Sequence, residues 1–127
     1  MTVSILLLQD GVIACSGECS CINKSNTTIW SIDVGLVNHK MAVKEIYVYI
    51  PGSLWNKLLV ANLKTGVIEK KVTVQGPGDV YVYGNYLAIE TSSGLNVYSI
   101  SNPKEPRLLW NRTGATKGVF LAKTVTI

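Results

Sequence analysis

Three cysteines, Cys15, Cys19 and Cys21, fall within seven positions and form the densest set of soft ligands and nucleophiles in the 127-residue chain. Their C-x-x-x-C-x-C spacing could present three thiolates, but a closed zinc site takes four ligands, and the sole histidine, His39, is distant in sequence. An odd count in so short a stretch is not the framework of a small disulfide-stapled secreted domain. With Ser16, Gly17 and Glu18 as a hairpin turn, Cys19 and Cys21 share one face, and Cys15 lies opposite one of them across the strands. The simpler reading is small buried apolar side chains with at most one disulfide, so no metal and no cofactor is expected.

Nucleophilic catalysis has no frame either. His39 is the only imidazole, and no G-x-S-x-G elbow or cysteine signature surrounds a nucleophile that it could activate, so it reads as a solvated loop residue. The eight acidic residues stand singly, and Asp10, Glu18, Glu45, Asp79 and Glu90 adjoin expected turns, where carboxylates cap or solvate backbone. Neither G-x-G-x-x-G nor a P-loop occurs, and Gly76-Pro77-Gly78 reads as a turn. No catalytic residue is assigned. The aromatics carry the remaining functional reading. Tyr47, Tyr49, Tyr81, Tyr83, Tyr86 and Tyr98 lie on strand patterns and are expected to pack, as are Trp30 and Trp110. Trp55, in a loop after Pro51 and Gly52, is expected to be exposed, and together with the basic pair Lys70 and Lys71 it is the candidate partner-binding set. Asn23, Asn26 and Asn111 head N-x-S/T sequons, which matter only in a secreted chain.

The composition is 47% hydrophobic and 16% charged, below the roughly 25% charged residues of an average soluble domain, which argues for extensive burial or assembly. The net charge of +4 is spread along the chain, with Lys104, Arg107 and Arg112 the only other local group. A surface that tracks phosphates carries denser Lys and Arg, so nucleic acid is not indicated as a partner. The opening MTVSILLLQD lacks a basic segment and a long apolar run, and no stretch approaches the roughly 20 apolar residues of a spanning helix. A cytoplasmic location without a membrane span is the expectation.

Along the chain, strand signals dominate: TVSILLL, GVIAC, TTIWSIDV, EIYVYI, KLLVANL, GVIEKKVTV, DVYVYG, NYLAIE, GLNVYSI and GVFLAKTVTI are rich in Val, Ile, Leu and Tyr and bounded by turn formers. Their period is two, so Val80 and Val82 face away from Tyr81 and Tyr83. Two stretches allow a helix. One would be capped by Ser53, with Leu54, Leu58 and Ala61 on a single face; the other is LVNHKMAVKEI.

The strands repeat. Met41, Val80 and Gly118 open comparable runs at steps of 39 and 38 residues, and counting back from Met41 reaches Thr2 and Val3. The units 2–37, 38–77 and 78–116 each read strand, turn, strand, loop, strand, turn, strand, and close on Gly35, Gly76 and Gly114; residues 117–127 begin a fourth. A period near 40 with four strands is the spacing of a propeller blade. In the third unit, V-Y-V-Y-G-N-Y, G-L-N-V and I-S-N-P-K-E-P resemble the LVIVD repeat of bacterial and archaeal surface propellers. In the second, LLVANLKTGVIEKKVTV is similar to the blades of YVTN-type and PQQ-type propellers. The resemblance implies an architecture common on cell surfaces, from which this chain departs in having no signal-like opening.

The expectation is one all-β domain over 1–127, propeller-like, with about three four-stranded antiparallel blades and a partial fourth; a β-sandwich is the competing fold. Closed propellers have 4 to 8 blades, so three form an open arc whose ends expose blade faces. A homodimer closing the ring is therefore expected, and with it a non-enzymatic scaffolding role in protein–protein interaction. Two functions compete with it: a lectin-like, carbohydrate-binding propeller, and a hydrolase or metal enzyme.

Overall fold

A computed structural model describes residues 4–52 and 55–114. Each unit folds as a four-stranded antiparallel meander. The first comprises β1 (Ser4–Leu8), β2 (Gly11–Cys15), β3 (Gly17–Asn23) and β4 (Thr28–Gly35). The second comprises β5 (Ala42–Lys44), β6 (Tyr47–Gly52), β7 (Lys57–Asn62) and β8 (Ile68–Thr73), and the third β9 (Val80–Tyr83), β10 (Tyr86–Glu90), β11 (Gly94–Ser99) and β12 (Arg107–Thr113). Three separate sheets of this kind make a propeller-like arc and not the two facing sheets of a sandwich. The expected partial blade at 117–127 lies outside the described residues.

The three sheets span 4–35, 42–73 and 80–113. Gly35, Gly76 and Gly114, which end the units, all take positive φ, of 73°, 57° and 79°, a backbone state that costs a residue with a Cβ about 1–2 kcal/mol. Neither helical alternative survives. Residues 57–62 form β7 because both of its faces are buried: Leu58 and Val60 pack toward the third unit, Leu59 and Ala61 toward the first. A strand covered on both sides reads as a continuous apolar run and loses the alternation that would have marked it. In LVNHKMAVKEI only Ala42–Lys44 is regular, and it is a strand.

Two apolar clusters hold the arc together, one at each junction. Ile13, Cys15, Cys19, Cys21, Trp30 and Val34 of the first unit pack on Val48, Ile50, Leu59 and Ala61 of the second. Tyr49, Leu58 and Val60 pack on Val80, Leu87, Ile89, Tyr98 and Ile100 of the third. No sheet carries a core of its own; each is stabilised by burying a face against the next, as repeat architectures are. The segment between the first two units ties into all three. Ser4 Oγ donates to the His39 carbonyl (2.6 Å), Val80 N–H to the Lys40 carbonyl (3.0 Å), and Lys40 N–H to Asp79 Oδ1 (2.8 Å).

Candidate functional site at the two ends of the arc

The strand registers make the units superimposable position by position. Across each sheet runs a row that faces the following unit: Leu6, Ile13, Cys21 and Trp30 in the first; Ala42, Tyr49, Val60 and Lys70 in the second; Tyr81, Ala88, Val97 and Trp110 in the third. In every unit the fourth strand carries a register shift beside this row, opposite Cys21/Ile22, Val60/Ala61 and Val97/Tyr98. Trp30, Lys70 and Trp110 therefore hold one structural position at steps of forty residues.

At the first junction that position is an anchor. Trp30 is 7% exposed, its Nε1–H donates to the Leu63 carbonyl (2.8 Å), and its ring lies against Gly66. A Cβ on Gly66 would fall 2.7 Å from Trp30 Cδ2, so this turn admits the indole only because it ends in glycine. The second junction uses other groups on the same turn. The Tyr49 hydroxyl donates to the Pro103 carbonyl (2.6 Å), and Lys104 Nζ meets Glu69 Oε1 at 3.4 Å. Burial, reinforced by the charges of Glu45 and Tyr47, pushes the Tyr49 phenol well above its ordinary pKa. In both cases the turn between third and fourth strands is held by the preceding unit.

Beyond the junctions, each end keeps the apolar residues that a neighbour would cover. On the outer face of the first unit, Ile5 and Leu7 are 61% and 80% exposed, while Met41, which holds the position of Ile5 in the second unit, is 2% exposed and Val43, in that of Leu7, packs on the first core cluster. At the other end Trp110 is 49% exposed, Leu108 and Leu109 beside it are exposed, and every residue of β12 faces solvent. Tyr83 and Tyr86 are also exposed there, and with Asn85, Ser99, Ser101 and Arg107 they line a shallow hollow of about 310 Å³. Its counterpart at the first junction, completed by Val43, Glu45, Leu63 and Lys64 of the second unit, is a cleft of about 600 Å³.

Of the candidate partner-binding residues, Trp55 and Lys71 come together, with the ammonium 5.5 Å from the indole centroid, and Trp55 is exposed as expected. Lys70 is exposed too, but it points to the opposite side of β8, in the anchor position. The expectation that all tyrosines and Trp110 pack needs correction. Tyr49 and Tyr98 are buried, whereas Tyr83, Tyr86 and Trp110 are exposed, because the face they occupy has no following sheet among the described residues. Period-two alternation told which side each residue takes and could not tell whether that side is covered. His39, read as a solvated loop residue, lies in a loop with its side chain 40% exposed and approaches Asp79 (Nδ1 to Oδ1, 3.3 Å). Cys15 and Cys19 are directly opposed and form a disulfide, which consumes two of the three thiolates a metal would need; Cys21 is buried in the first cluster, and desolvation raises its thiol pKa. The bridge closes so small a loop that it contributes at most about 2 kcal/mol.

Comparison with solved structures places this geometry among β-propellers. A computationally designed propeller, Ika8, matches 89% of this chain over 37% of its own, with a TM-score of 0.71 and 14% identity. Kluyveromyces lactis Hsv2 matches 88% over 37% of its own (TM-score 0.59, 12% identity), and the N-terminal domain of Nup159 matches 87% over 34% (TM-score 0.60, 15% identity); both are β-propellers. The chain thus spans little more than a third of the length of the propellers it matches. At these identities the likeness is one of fold. No protein-family profile matches the sequence, and no curated protein does. Among the described residues no helix is long and apolar enough to cross a membrane.

Proposed function

We propose that this domain is a non-enzymatic binding and scaffolding module that associates with a second copy of itself, two arcs meeting end to end to close a ring, and that the ring presents loops, Trp55 and Lys71 among them, to a protein partner. One observation carries the reading: both ends of the arc hold apolar side chains at the positions that the two internal junctions bury. Two arcs of the three described sheets supply six, within the 4 to 8 that close a propeller. An apolar blade face left in water is a site for association. Light scattering across a micromolar concentration series tests it. A mass of twice 13.8 kDa is expected, and a monomer with full β-content at every concentration overturns the proposal. The cytoplasmic setting belongs to the same reading. The Cys15–Cys19 disulfide stands against it, since reducing compartments keep such pairs as thiols, and thiol counting after alkylation in the cell decides between them.

The hollow flanked by Tyr83 and Tyr86 favours a second, lectin-like reading, because exposed aromatic rings beside Asn, Ser and Arg suit a sugar. It lies on the face that ring closure would cover, where its counterpart at the first junction persists as a cleft. Glycan binding that is lost in Tyr83→Ala, by a chain that stays monomeric, would replace the first reading with the second.

A further inference from the structure

Resting on the self-association proposed above, we infer that the contact between copies is a second edition of the first internal junction, in which Trp110 of one copy clasps the turn between β3 and β4 of the other, and its indole N–H donates to the Lys24 carbonyl.

Three correspondences lead to this contact. Trp110 holds the position of Trp30, with the same cross-strand row and the same neighbouring register shift. The acceptor side corresponds as well. Leu63, whose carbonyl receives the Trp30 N–H, donates its own N–H to Ile46 O in the first hairpin turn of its unit (2.7 Å), and Lys24 donates likewise to Asp10 O (3.0 Å). The Lys24 carbonyl is therefore presented by the same backbone framework as that of Leu63. Around this contact, Leu7 would cover the third unit's face as Val43 covers the first unit's. The end bearing Trp110 carries exposed Arg107 and Arg112, and the first unit carries three exposed carboxylates, Asp10, Glu18 and Asp33, beside one exposed cation, Lys24.

The two turns differ at one place, which gives the junction its own strength. Where the second unit has Gly66 (φ 76°), the first has Asn26 (φ 62°), in a turn one residue shorter. Since the ring of Trp30 lies where a Cβ on Gly66 would be, the Cβ of Asn26 holds Trp110 off its turn. The contact between copies is a loosened form of the internal one, and Asn26 sets how loose.

Sedimentation equilibrium on the full chain tests the pairing. Trp110→Lys, which copies Lys70 of the second unit and so suits the fold, should weaken association at least about thirtyfold, the effect of losing a tryptophan hot spot. Leu7→Asp, at the other end, should weaken it as well, and Asn26→Gly should tighten it about tenfold by relieving overpacking. A mixture of Trp110→Lys and Leu7→Asp chains retains one intact junction per pair, so association should return on mixing. Wild-type association left unchanged by Trp110→Lys, or not restored in the mixture, overturns this contact and leaves self-association standing. A wild-type chain that never associates removes the underlying reading instead.

Discussion

Trp30 and Trp110 are the same residue in the same position of two sheets, with the same strand register and the same local shift, yet one is an anchor and the other is half in water. Their positions within their own sheets are equivalent. The difference lies in the neighbouring sheet: the turn of the second unit, with the Leu63 carbonyl and the bare backbone of Gly66, receives the first indole, and no sheet among the described residues receives the second. In a repeat architecture burial is a property of the junction. A side chain that is core in one unit is interface in another without any change in its own strand.

Removing each indole in turn puts this contrast at risk. Trp30→Ala should destabilise the chain by about 3–5 kcal/mol in urea unfolding, the cost of emptying a buried aromatic site, while Trp110→Ala, at concentrations where the chain is monomeric, should stay within about 1 kcal/mol of wild type. Equal losses would mean that Trp110 is packed after all. The two turns provide the next test. Gly66→Ala forces a Cβ into the Trp30 ring at a positive-φ position and should cost about 2 kcal/mol, whereas Asn26→Gly, at an equally left-handed but uncovered turn, should change monomer stability by only a few tenths.

A smaller effect separates the first junction from the second, which relies on the Tyr49 hydroxyl. Tyr49→Phe should cost about 1 kcal/mol, the net value of a buried hydrogen bond to the Pro103 carbonyl. It should also change the pH dependence. Because folding raises this phenol's pKa, its contribution is intact below the ordinary tyrosine value of about 10 and fades as pH climbs beyond it toward the raised folded value. Wild-type stability should therefore fall more steeply above pH 10 than that of Tyr49→Phe, as read from paired thermal melts; parallel curves would mean that Tyr49 ionises as easily folded as unfolded.

Much of the fold was legible in the chain because blades are built from local signals. Alternation in V-Y-V-Y, the Gly-Asn turn after it and the glycines that close each unit encode strands and bends through nearest-neighbour chemistry, and the expected four-stranded antiparallel sheets are present. The signals failed where burial is two-sided or absent. β7 lost its alternation because sheets cover both of its faces, and Tyr83 and Tyr86 kept an alternation typical of packed residues while facing water. Lys70 stands out in the sequence for its charge, and its sharper meaning, the position shared with two tryptophans, emerges only from the pairing of β7 with β8.

Period, strands, turns and the side of each sheet that a residue takes are written in the amino-acid sequence, since all of these arise from interactions within a few positions along the chain. Which of those sides are covered is settled only in the tertiary structure. That depends on the neighbour presented across about 10 Å of sheet packing, and no residue carries that information in its own strand. The three cysteines illustrate the division. Their spacing put Cys15 opposite Cys19 or Cys21; the strand register selects Cys19, and the arrival of the second unit turned Cys21 from a candidate ligand into part of a core.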